Sequence, residues 1–111
     1  MTWEQDPAHN AVELENVSLL RDLLDAGADV EGETGDGWTL LMHALDIEAD
    51  SRDQGRNMHV DTTALLISRG ADLERKYNGI SALEEARIRG HWLALELMEA
   101  WLGRNISNEL L

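Results

Sequence analysis

At 111 residues the chain is read as one domain with room for a modest core. An apolar fraction of 43% excludes disorder, the absence of cysteine excludes disulfides and thiolate metal sites, and no apolar run approaches the ~18 residues of a membrane span. The formal net charge of −13 argues against direct binding to nucleic acid or an anionic membrane and favours a basic protein as partner.

The charge is uneven. Residues 1–36 carry ten acids and one base, residues 37–74 seven and three, and residues 75–111 five and five. The acidic start, Met1-Thr2-Trp3-Glu4-Gln5-Asp6, differs from the basic opening of a signal peptide, so a cytoplasmic location is expected. Asp6-Pro7 then opens a first helix, with Asp as N-cap and Pro at the first helical position. Val17, Leu20, Leu23 and Leu24 share one face of a second helix, which Gly27 ends by turning left-handed. Asp36-Gly37 predicts a primed hairpin turn, followed by Thr39 as N-cap of a helix beginning Leu40-Leu41. A polar stretch near 49–58 reads as a protruding loop, or as helix extensions capped by one. Leu66, Ile67 and Gly70 repeat the earlier ending, and Leu66 to Glu74 nearly copies Leu23 to Glu31. Asn78-Gly79 predicts a second primed turn, and Ser81 with Glu84 a capping box. Leu95, Met98, Trp101 and Leu102 mark the last helix, with Gly103 as a degraded third stop. Trp92, Leu93 and Leu97 make that helix apolar on more than one side, so either Ile106, Leu110 and Leu111 fold back over it, the favoured reading, or the helix forms an interface.

These marks resemble the ankyrin-repeat family. Asp6-Pro7-Ala8-His9-Asn10-Ala11, Thr39-Leu40-Leu41-Met42-His43-Ala44 and Ser81-Ala82-Leu83-Glu84-Glu85-Ala86 are similar to its helix openings, and Gly-Ala-Asp at Gly27 and Gly70 to its endings. The resemblance implies an all-α solenoid of three helix-turn-helix repeats with short β-turn hairpins. The repeats would span about 4–35, 36–76 and 77–107, with the excess near 49–58 inserted in the second. His stands at the motif position only in the first repeat, where His9 would serve the repeat's own hydrogen bonds. His91, after Gly90, would also be structural. His43 and His59 could be exposed or core.

The residues give no catalytic or metal pattern. The calcium loop is absent, and the alternating acids Asp46, Glu48 and Asp50 lie on a predicted helix end that scatters them to different faces. The four histidines have no paired one-turn spacing, and no nucleophile elbow or phosphate-cradling loop occurs. No enzyme, cofactor or metal is expected.

In the family, partners dock on hairpin tips and first helices. By position these are Glu13, Glu33, Asp36, Trp38, Asp46, Ile47, Lys76, Tyr77, Asn78 and Arg89, with Trp38 standing toward solvent as anchor or packing on the next hairpin near Tyr77. The resemblance extends to small acidic ankyrin proteins that bacteria use as immunity proteins against toxins, which implies an inhibitor of a basic partner; the sequence leaves the oligomeric state open, with a monomer favoured. A general adaptor and a nucleic-acid mimic are the alternatives.

Overall fold

The computed structural model describes the backbone of residues 6–110 and the side chains of residues 6–103. Among the described residues there are six helices and one two-stranded sheet. They run α1 (Pro7–Glu13), α2 (Val17–Asp25), α3 (Leu40–Asp53), α4 (Asp61–Ser68), β1 (Lys76–Tyr77), β2 (Ile80–Ser81), α5 (Ala82–Ile88) and α6 (Trp92–Leu110). Consecutive helices pack as pairs, while α1, α3 and α5 form one row and α2, α4 and α6 the other. Small residues let the first row close up: Ala8, Ala11, Ala44, Ala82 and Ala86 are all buried. Leu20, Leu40, Leu45, Leu66, Ile67 and Met98 fill the core between the rows.

The helix starts follow the predicted chemistry. Asp6 accepts from the backbone of Ala8 at 2.9 Å and His9 at 3.1 Å, Thr39 accepts from Met42 at 3.3 Å, and Ser81 and Glu84 form a reciprocal capping box. The endings are equally uniform. After Leu24 and Ile67 the chain closes a double backbone hydrogen bond onto the last turn, with Gly27 and Gly70 left-handed at φ 104° and 93°. The same closure follows α1, where Glu15 takes the left-handed position at φ 55° despite its Cβ.

Two expectations need correction. Asn78 and Gly79 both have positive φ, as a type I′ turn requires, but in the Asp36 loop only Gly37 does. Gly35 makes that loop three residues long, so it closes as a turn from Thr34 to Gly37 whose last residue, Gly37, is left-handed, and Glu33 bridges Thr39 across it. The segment near 49–58 takes the second of its two expected forms, a helix extension closed by a turn. It continues α3 to 14 residues, against seven in α1 and in α5, and then turns at Gly55. Gly103 does not end α6, whose backbone stays helical to Leu110 because no turn sequence follows the glycine. The expected covering role of Ile106, Leu110 and Leu111 lies outside the described residues.

Candidate functional site

The two-residue hairpin, the Asp36 loop and the row of first helices meet at one end of the pairs. The side chains gathered there begin with Trp38. It does not stand free in solvent: its ring lies on His43 with centroids 4.3 Å apart and reaches His9 at 6.0 Å. The flat apolar face of the imidazole covers one side of the indole, leaving Trp38 half-buried.

Beneath it, His9 and His43 are fully buried and meet through their Nδ1 atoms at 2.9 Å. The Gly32 carbonyl, 3.1 Å from His9 Nε2, can only accept, so that nitrogen donates. Neutral His9 then presents its Nδ1 lone pair to His43 Nδ1, and His43 Nε2 lies 3.0 Å from the Glu13 carboxylate, so a neutral His43 donates to one of these two acceptors and only a protonated one to both. Burial pushes both imidazoles below the usual histidine range, against the opposing pull of the Gly32 carbonyl, Asp6 and Asp36 on His9 and of Glu13 and Asp46 on His43. Sequence had assigned Glu13 to a partner; here it is half-buried and engaged by a core histidine.

Over the Trp38 ring opens a cleft of about 180 Å³ lined by Trp38, Met42, Asp46, Tyr77, Asn78, Ile80 and Glu85. Four of the sequence-predicted residues, Trp38, Asp46, Tyr77 and Asn78, therefore come together. Asp36 joins them at the rim, accepting from the Tyr77 hydroxyl at 3.1 Å. Hydrogen bonds from Thr34 and Tyr77 hold the Asp36 carboxyl below its usual range. Arg89 crosses beside the cleft with Asp46 at 2.7 Å, Asp50 at 3.2 Å and Glu85 at 3.9 Å. Glu33 is paired with Arg75 instead. Ile47 lines a separate polar hollow with Glu13, Glu15 and Asp50, and Lys76 is exposed on β1.

Sequence reasoning missed two further constellations. Glu48 is buried at 1% exposure and accepts from the Thr63 hydroxyl at 2.7 Å, the Thr63 amide at 3.2 Å and His91 Nε2 at 2.8 Å. Val60 gives α4 no capping side chain, so Glu48 on α3 closes that helix start from outside. His91 Nδ1 in turn accepts from Ala94 at the start of α6, fixing the Nε2–H tautomer. The missing signal was available: a helix beginning after Val60 lacks an N-cap and must borrow one.

His59 lies between Asp61 at 2.6 Å and Glu15 at 2.9 Å. Burial disfavours its charged form, but Asp61, Glu15 and Glu48 outweigh this and hold it above the usual histidine range. Glu48, His59 and Asp61 bring one ligand-type atom each within 4.8 Å of one another. With both imidazole nitrogens already facing carboxylates, a protonated His59 neutralises this cluster from within. Compared with known proteins, the chain matches no family model and no curated protein.

Proposed function

We propose that this chain is a short ankyrin-type solenoid, three turn-helix-helix repeats side by side, that binds and inhibits a basic partner protein in the manner of an immunity protein. The observation that carries the reading is the cleft on the hairpin side. An aromatic anchor and a second aromatic residue from the hairpin side are gathered there with Asp46 of α3 and Glu85 of α5, in a chain of net charge −13. Buried aromatic anchors ringed by polar groups dominate interface energy, and a field of this sign steers cationic proteins to it. The uniform left-handed helix endings and the two rows of helices support the solenoid reading. Dimensions also argue for a macromolecular partner, because the cleft is smaller than the ~300–1,000 Å³ typical of small-molecule sites.

The test is capture of partners at low salt followed by assay of each captured protein's own activity. A basic partner whose activity falls stoichiometrically on binding, with affinity declining as salt rises, bears the reading out. A partner that is acidic, or one whose activity survives saturation, refutes it.

A further inference from the structure

The acidic platform of the preceding reading leaves open what enters the cleft. We propose that the cleft is a socket for one basic side chain, arginine or lysine, projecting from the partner protein; this rests on that reading and narrows it.

Local charge makes the first argument. Three carboxylates, Asp46, Asp50 and Glu85, surround the single guanidinium of Arg89, which leaves the group two negative charges in excess. Asp46 and Glu85 also line the cleft, so part of that excess faces the space a ligand would fill. An apolar side chain placed there would strip water from carboxylates without replacing it, and an anionic one would be repelled. A cation relieves both penalties.

The shape of the lining makes the second. Trp38 and Tyr77 offer aromatic faces to a cation, and Met42 and Ile80 offer apolar surface to the methylene stem behind it. At about 180 Å³ the space suits a side chain better than a free metabolite.

The third is rigidity. The Trp38 ring is held by His43, Tyr77 by its hydroxyl bond to Asp36, and the β1–β2 turn by two left-handed residues. A socket fixed before binding loses little entropy when filled.

The experiment is an NMR titration of the full chain with hexa-arginine, hexalysine and hexaglutamate at low and at physiological salt. Both basic peptides are expected to shift the Trp38 indole N–H and the amides of Tyr77, Ile80 and Glu85 saturably, and hexaglutamate to shift none of them. Larger effects with hexa-arginine assign guanidinium stacking, and larger effects with hexalysine assign an ammonium guest. The Trp38→Ala chain should bind about tenfold more weakly. Because that substitution also uncovers His43, the chain carrying Asp46→Asn with Glu85→Gln provides a second test and should show a similar loss. If the basic peptides bind but leave these resonances unmoved, or bind the double variant with unchanged affinity, the socket is refuted while the basic-partner reading stands. If neither basic peptide binds at low salt, both fall.

Discussion

Replacing Glu48 by Gln tests whether one buried carboxylate ties three helices together. The wild-type side chain accepts three hydrogen bonds, two at Oε1 from Thr63 Oγ1 and His91 Nε2 and one at Oε2 from the Thr63 amide. Glutamine can place its carbonyl at the Oε1 position and keep two of them. Its amide nitrogen then points a donor at the Thr63 N–H, which loses its acceptor in a fully buried place. One unsatisfied buried donor costs about 1–3 kcal/mol, and the lost bond is the longest of the three, so about 1.5 kcal/mol is expected. At roughly 5 °C per kcal/mol for a chain of this size, the melting temperature should fall by about 7 °C. Glu48→Leu removes both acceptor oxygens, leaves all three donors unpaired and should cost about 4 kcal/mol, a large share of the ~5–15 kcal/mol typical of a domain. Urea unfolding followed by far-ultraviolet circular dichroism measures both, with the exposed Glu74→Gln as control. A Glu48→Gln chain within ~0.5 kcal/mol of wild type would show that the three bonds do not hold the helix starts.

The backbone closures predict opposite signs at equivalent positions. Gly70→Ala meets no atom within 4 Å, so it should cost only the left-handed strain of a Cβ, about 1 kcal/mol, whereas Glu15→Gly relieves that strain. The latter also gives up contacts to His59 and Arg56, so a net gain of about 0.5 kcal/mol is expected, and a loss above 1 kcal/mol would show that the ion pairs dominate. Arg52→Met should destabilise by about 2 kcal/mol in urea, because it removes the hydrogen bonds at 2.8 and 2.7 Å that satisfy the Arg89 and Gly90 carbonyls after α5. For pH, His9 and His43 have folded values below the unfolded one, so the stability they contribute is present above about pH 6.5 and is lost as pH falls through their folded values. His59 has a raised folded value, so its contribution is complete below about pH 6.5 and is lost as pH rises through the folded value. Unfolding measured from pH 8 to pH 5 should therefore fall more steeply in His59→Gln than in wild type, and identical slopes would contradict the assignment.

What could be read from the sequence was local. The caps at Asp6, Thr39 and Ser81 and the stops at Gly27 and Gly70 depend on residues a few positions apart, and the structure places all of them as expected. The Asp36 loop went astray because a dipeptide fixes turn type only when loop length is known, and Gly35 lengthened the loop. Trp38, Asp46, Tyr77 and Asn78 were grouped in advance only by the family resemblance, which implies docking on hairpin tips and first helices, and the structure brings them to one cleft. The Trp38 stack on His43 is local too, joining the residue before the Thr39 cap to the fourth residue of the helix, and it was overlooked. Glu48 was hidden by tertiary packing. Its neighbours Asp46 and Asp50 lie a turn apart on one side and hold Arg89, while the intervening acid faces the core, as helical geometry scatters alternate residues.

The same cross-links change how the charge asymmetry should be understood. By segment the acids crowd the first third of the chain, yet the structure spends many of them on arginines that arrive later. Arg69 takes Asp25, Arg75 takes Glu31 and Glu33, Arg56 approaches Glu15, and Arg89 takes Asp46 and Asp50. In each of these pairs the base follows its acid in the chain, and most join one helix pair or its hairpin to the next. The acid excess of an early segment is thus partly the counter-charge for its successor, a form of nearest-neighbour stabilisation suited to pairs stacked in sequence. Exposed pairs of this kind contribute little energy singly, but they fix the register between neighbours. Pairing leaves the excess of 13 acids over bases unchanged, and part of it lies where one arginine faces three acids, beside the cleft over the Trp38 ring.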